Sequence, residues 1–326
     1  MAEINTTEVR EFLKKIQGQE LSLKDLRGEF NILPGSKSFD AIRNIMFQLS
    51  EQRVVKVSRK GVYKVIKEVK PVQVFGTDRE RRPPFKLIFP RDFDTSMEMF
   101  FAEDIVIREG DLVLISGMSN FGKTTLCVNF CGENIDCLPV LMGNEYTTID
   151  REPTPRFLNR LDSMDWVKWT NEGRDKFSLL PVWEDYAEHI IKDRINIIDW
   201  INLPGEYYLI SPVMEGIKHA LGKGIGIIAI QKNEEKDSGR GGAPSRDFAD
   251  CELLIDRFGE DDVLLTVGKV KEATKRVTGR TYAYHISQGV KIHNFREVKK
   301  CPQCNGKGYT LKGKCDNCFG LKYVDR

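Results

Sequence analysis

The sequence predicts an α/β protein, a mainly parallel sheet with helices on both faces, carrying a small helical module before it and a cysteine-rich one after it. Three observations in the 326 residues predict this. Short β-rich apolar runs alternate with helical stretches from about residue 100 to 295. One of those runs enters a glycine-bounded loop and then a helix, in "VLISGMSNFGKTTLCVNF". Two C-x-x-C pairs lie close together near the end of the chain.

Residues 1–70 read as three short helices and a hairpin. "TTEVREFLKKI" has a threonine cap and apolar residues at helical spacing: Val9, Phe12, Leu13 and Ile16. "SLKDLRGEF" opens with Ser22 as a second cap, and "SFDAIRNIMFQLSEQ" puts Phe39, Ile42, Ile45, Met46 and Leu49 on one face. "RVVKVSRKGVYKVI" alternates, turns at Arg59-Lys60-Gly61 and alternates again. Three helices and a basic-tipped hairpin resemble a winged-helix domain. The resemblance implies that the third helix and the wing contact DNA, with Lys37, Arg43, Arg59 and Lys60 as candidates. Winged helices also dock proteins, so that alternative stays open. Residues 71–98, with Pro71, Pro83, Pro84, Pro90 and "RERR", read as a semi-extended linker.

From 99 to 296 the expected strands are "DLVLIS", "LPVLMG", "FSLLPV", "INIIDWI", "GIGIIAI", "ELLIDRF", "VLLTVGKV" and "TYAYHIS". The earlier ones are continuous apolar runs, as parallel strands buried on both faces require; the later ones alternate, as in an antiparallel extension.

Gly117-Met118-Ser119-Asn120-Phe121-Gly122-Lys123-Thr124 fits G-x-x-x-x-G-K-[ST] between a strand and a helix. Glycines let the backbone curl so that successive N–H groups face the phosphates, and the helix adds its positive end. Lys123 is expected on the β/γ oxygens, Thr124 on Mg²⁺, and Thr125 completes the nucleotide-holding set. Asp199, at the end of a strand in "INIIDWINL", is the expected second Mg²⁺ ligand. Trp200 follows it and cannot act as a base. Glu145, ending the strand "LPVLMG" after the loop's helix, is expected to polarise the attacking water, from a strand neighbouring that of the phosphate loop. ATP is preferred because the sequence has no Asn-Lys-x-Asp guanine motif.

The order of phosphate loop, strand-end Glu145, "IIDWINL", "GIIAIQKN", "ADCELLIDR" and "VGKVKEA" resembles the RecA superfamily, in particular the ATPase domains of DnaB-type helicases and RadA-like proteins. That resemblance implies Glu145 as catalytic base and Gln231 as a γ-phosphate sensor. It also implies sites shared between subunits of a homo-oligomer, a hexamer or a filament. A Lys-x-Arg pair reaches the neighbour's nucleotide in such helicases; the matching positions here are Lys269 and Lys271, and a second lysine cannot fork onto a phosphate. The polar "KNEEKDSGRGGAPSRDFAD" matches loops that hold single-stranded DNA, with Lys232, Arg240 and Arg246 as candidates.

In 297–326, "CPQCNGKGYTLKGKCDNCFG" supplies Cys301, Cys304, Cys315 and Cys318 at the spacing of a tetrahedral Zn²⁺ site. "CPQCNGKG" also matches the C-x-x-C-x-G-x-G unit of DnaJ-type zinc domains, whereas "CDNCFGLK" keeps only the first glycine. Lys307, Lys312, Lys314 and Lys322 make this ribbon basic. Cys127, Cys131, Cys137 and Cys251 read as reduced core residues, and Trp166, Trp169 and Trp183 as core packing.

The net charge of +2 hides an asymmetry: about +7 over residues 1–90, about +5 over 296–326 and about −10 between them. Basic ends point to a polyanion and an acidic middle to the chemistry. No apolar run reaches membrane-span length and the amino end lacks a signal-peptide core, so a cytosolic, membrane-free protein is expected. Together these predict a DNA-dependent ATPase, a helicase or translocase in replication, recombination or repair. The alternatives are an ATP-switched DNA-binding regulator and a helicase loader or recombination mediator.

Overall fold

The computed structural model describes residues 4–68, 83–201, 209–232 and 243–326. Its contacts divide the chain into two units, Met1–Arg81 and Arg82–Arg326.

The first unit runs α1 (Thr6–Lys15), β1 (Glu20–Ser22), α2 (Leu23–Glu29), α3 (Lys37–Glu51), β2 (Val55–Arg59) and β3 (Val62–Val65). The cap of α1 is Asn5, one residue before the expected threonine, in a reciprocal capping box with Glu8. Ser22 caps α2 as expected, paired with Asp25. Val9, Leu13, Leu26, Ile42, Met46 and Leu49 form a closed apolar core. The short β1, too brief to leave a periodic signal, completes a sheet of order β1-β3-β2. The three helices and the β2–β3 hairpin follow in the order expected from the sequence.

The second unit is built on β4 (Leu112–Gly117), α4 (Lys123–Glu133), β5 (Val140–Met142), α5 (Pro155–Asp162), the small ribbon β6 (Thr170–Asn171) and β7 (Arg174–Asp175), and β8 (Ser178–Leu180). It continues through β9 (Ile195–Ile201), α6 (Ile210–Ala220), β10 (Ile225–Gln231), α7 (Ala243–Phe248), β11 (Cys251–Phe258), β12 (Asp262–Val270), β13 (Thr281–Ser287) and β14 (Lys291–Lys300). The cysteine segment contributes β15 (Tyr309–Thr310), β16 (Gly313–Lys314) and β17 (Tyr323–Asp325). The main sheet has the order β17-β14-β13-β12-β11-β4-β10-β9-β5-β8. Pairing is parallel from β11 through β8 and antiparallel from β11 through β17.

Alternation on the parallel strands decides which helix packs where. Val113, Ile115, Ile197 and Ile227 face α4 and its buried Leu126, Val128 and Phe130. Leu112, Leu114, Ile198 and Ile228 face α6 through Ile210, Met214 and Ile217. Both faces of each strand are therefore apolar, the continuous signature read from the sequence. This is the expected α/β class: a large, mainly parallel sheet covered by helices on both faces.

Two strands of the main sheet escaped the sequence reading. In β14 the alternation breaks at Asn294, which takes φ +54, and the pairing with β13 shifts register there. β17 has only three residues, pairing Val298 with Asp325 and Lys300 with Tyr323. The boundary drawn at 297 thus falls inside β14, and the cysteine segment is tied to the edge of the main sheet. Among the described residues no helix is long and apolar enough to cross a membrane.

Candidate functional site

β4 ends at Gly117 and the chain turns through Met118–Gly122 into α4. Asn120 and Gly122 adopt φ of +67 and +89, the left-handed turn that aims the loop amides inward. A Cβ at Gly122 would also lie 2.5 Å from Ile286 Cδ1, a side-chain end free to shift, so the positive φ is what calls for glycine here. Lys123 is buried, its Nζ donating to the Met118 carbonyl at 2.8 Å inside the curl. Gln231 registers beside Gly117, and its Nε2 donates to Ser119 Oγ at 2.7 Å. Gln231 therefore already touches the phosphate loop. Thr125 donates its hydroxyl to the Gly289 carbonyl at 2.9 Å, fastening α4 to the β13–β14 turn.

Asp199 is buried at the end of β9. Its Oδ2 accepts from the Tyr146 phenol at 2.6 Å. Burial pushes its pKa up, and nearby Glu145 adds to that; Tyr146, Thr124 and Lys123 act in the opposite direction. Its second oxygen, Oδ1, is buried with no hydrogen-bond partner among the described residues. A desolvated, partnerless carboxylate oxygen next to a threonine hydroxyl is costly unless a cation meets it. Hard oxygen donors of this kind fit Mg²⁺, so Thr124 and Asp199 are the residues that would hold it.

The strand carrying Glu145 is not where the sequence reading put it. β5 pairs with β9 and β8, and two strands, β9 and β10, separate it from β4. The expectation of a neighbouring strand is corrected, because a crossover places the later β9 and β10 between them. Glu145 nonetheless reaches the phosphate loop: it lies in the short turn Asn144–Tyr146 past β5 and lines the same cleft as Lys123 and Thr124. That cleft has a volume of about 790 Å³. Gly143 makes the turn possible, since a Cβ there would sit 2.4 Å from the Asp199 carbonyl oxygen and 2.9 Å from the Tyr146 ring. Gly143→Ala is therefore expected to lower stability by about 1–3 kcal/mol, read as a fall in the urea midpoint at constant m-value.

Several cleft residues were not singled out from the sequence. Tyr146 holds Asp199, and only its place beside Glu145 could have pointed to it. Arg156 and Arg160, four apart on α5, line the cleft from one helix face. Glu260, Asp261 and Asp262, at the β11–β12 turn, form another wall. Arg296 bridges Asp262 at 3.0 Å and Asp325 of β17 at 3.1 Å, joining this wall to the cysteine segment.

The expected nucleic-acid contacts are placed less simply. Lys37, Arg43, Arg59 and Lys60 are all exposed on α3 and the β2–β3 hairpin of the first unit. In the second unit Lys232 is buried, its ammonium 2.6 Å from Asp256. Arg246 lies 2.9 Å from the fully buried Glu252 and donates to the Gly268 carbonyl. Arg240 lies outside the described residues. Of the finger candidates, Lys269 donates to the carbonyls of Arg246 and Asp247 at 3.0 Å, closing the end of α7. Lys271 pairs with Asp250 at 2.9 Å, and that contact raises its pKa. The structure thus gives the four described cations of the second unit partners within their own chain, which residue type alone did not foretell. Cys137 is exposed rather than buried, and Trp166 and Trp183 are exposed too, so core packing does not account for them.

Cys301, Cys304, Cys315 and Cys318 are buried, with all four sulfurs within 4.8 Å of one another. Two sulfur pairs lie 3.8 and 3.6 Å apart. A tetrahedron with Zn–S bonds of about 2.3 Å has edges of about 3.8 Å, so these thiols fit zinc. Gly308 N–H and the Asn317 amide donate to Cys304 and Cys301 at 3.2 Å, the outer bonds that steady thiolate ligands.

No protein-family model matches the chain, and no curated protein does. Among solved structures, the KaiC-like protein PH0186 from the hyperthermophilic archaeon Pyrococcus horikoshii OT3 superposes with a TM-score of 0.46 at 17% identity. The match covers 65% of this chain and 100% of that one.

Proposed function

We propose that this chain is a RecA-type ATP hydrolase whose turnover depends on DNA, working as a helicase or translocase in a homo-oligomer. One observation carries the reading: Asp199, with a buried and partnerless oxygen, stands by Thr124 while Glu145 lines the same cleft. Binding falls to the loop amides and Lys123. Mg²⁺, held by Thr124 and Asp199, would neutralise charge on the phosphate oxygens. Glu145 takes a proton from water, and Gln231 links the nucleotide cleft to the segment that follows β10.

A second reading, an ATP-operated switch or a mediator acting on another motor, is favoured by the lysines. Lys269 and Lys271 are both engaged inside their own chain, so neither matched position offers an unengaged cation to the trans-acting role implied by the helicases.

The two readings part in one assay. ATP turnover is expected to rise about tenfold or more with single-stranded DNA, together with displacement of an annealed strand. Stimulation without displacement selects the switch or mediator, and turnover unaffected by DNA removes both DNA-dependent readings.

A further inference from the structure

The four-cysteine segment carries a surface whose composition only the folded arrangement reveals. Tyr309 is 65% exposed and Phe319 is 70% exposed. Large rings are seldom left in water without a use when they stand together among cations. These do stand together. Tyr309 of β15 is the cross-strand partner of Lys314 of β16. Lys314 in turn lies against Gly320, next to Phe319, its Cε 2.9 Å from where a Cβ on that glycine would be. Lys322 lies against Gly308, next to Tyr309, at 3.3 Å by the same measure. Both rings and both lysines therefore lie on one short folded segment, Tyr309 and Lys314 as cross-strand partners and each lysine stem against a residue adjoining a ring, with Lys307 and Lys312 exposed there too. The four buried cysteines cluster within the same segment.

We propose that Tyr309, Phe319, Lys314 and Lys322 form a binding platform for single-stranded nucleic acid. The rings offer stacking faces to successive bases, which is indifferent to sequence because every base has a π-face. The lysines neutralise the phosphates between them, which makes the contact salt-dependent. A protein partner would be served by the rings and by the exposed Leu311 and Leu321, but gives the flanking lysines nothing to do. The site rests on the DNA-dependent reading above and adds to it a second foothold, outside the ATPase cleft. The strand β17 ties this foothold to Arg296 and through it to the cleft wall.

The test uses the full chain, zinc-loaded, and a fluorescent oligo-dT followed by anisotropy over a series of salt concentrations. Tyr309→Ala and Phe319→Ala are each expected to weaken binding about 5- to 100-fold. Tyr309→Phe and Phe319→Tyr should keep wild-type affinity. Lys314→Gln and Lys322→Gln should each reduce the slope of log affinity against log salt by about 0.7. Zinc content and basal ATP turnover should stay unchanged throughout, since none of the four residues lines the cleft or ligates metal. If wild type binds no oligonucleotide, the DNA-dependent reading fails along with the platform. If wild type binds and the alanine variants bind equally well, the platform alone is wrong. A change in self-association with unchanged oligonucleotide affinity would also overturn it, making the rings a protein-docking face.

Discussion

Glu145→Gln is expected to bind ATP as tightly as wild type and to turn it over about a hundred- to ten-thousandfold more slowly. The amide has nearly the shape of the carboxylate, so the turn Asn144–Tyr146 and the Tyr146–Asp199 bond should persist. What it lacks is the basicity needed to draw a proton from water. Lys123, Gly122 and the loop amides, proposed to hold the phosphates, lie between the end of β4 and the first residue of α4 and are untouched by the change. Binding and chemistry should therefore separate: an unchanged Kd for a fluorescent ATP analogue beside a lost kcat. One competing outcome is informative. Should turnover survive, another acid in the cleft must serve, and Glu260, Asp261 and Asp262 are the carboxylates available there. An equal loss of binding would instead assign Glu145 to positioning the nucleotide.

The phosphate loop and the cysteine cluster were legible in the sequence because their chemistry depends on short spacings. Gly117 to Thr124 is one turn of chain, and each C-x-x-C is one knuckle. The parallel strands were legible too, since burial on both faces leaves an unbroken apolar run. Contacts across long separations were not. Tyr146 bonds Asp199 from 53 positions earlier in the chain, and nothing in the motif of either names that tyrosine. Basic residues were over-read for the same reason. A lysine in a polar segment looks available until its partner is known, and Asp256, Asp250 and Glu252 supply the partners of Lys232, Lys271 and Arg246. The aromatic patch shows the reverse error. Tyr309 and Phe319 are separated in sequence by the second knuckle, and folding brings them beside the lysines.

Asp199→Asn is expected to destroy Mg²⁺-dependent turnover and, without nucleotide or metal, to make the protein melt at a higher temperature. The sign follows from the protonation of Asp199. Burial, with help from Glu145, raises its folded pKa above the 3.8 of an ordinary aspartate, against the opposing pull of Tyr146, Thr124 and Lys123. Between 3.8 and that raised value the folded state holds a proton that the unfolded chain has released. Stability must then fall as pH rises through this window, and the deficit persists above it. Asparagine carries no charge to desolvate and can still accept from Tyr146, so the deficit disappears. Each 1 kcal/mol regained raises Tm by about 2–4 °C in a unit of this size. Saturating Mg²⁺-ATP should reverse the order. Wild type gains about 2.7 kcal/mol at a hundred times Kd, whereas the variant, lacking one of the two oxygens expected to hold the metal, gains far less. The crossing of the two melting curves is the signature of a residue kept for its ligand at the expense of the empty fold. A variant that melts lower when empty, or that gains as much as wild type from Mg²⁺-ATP, would mean that Asp199 is a structural group and that the metal is held elsewhere.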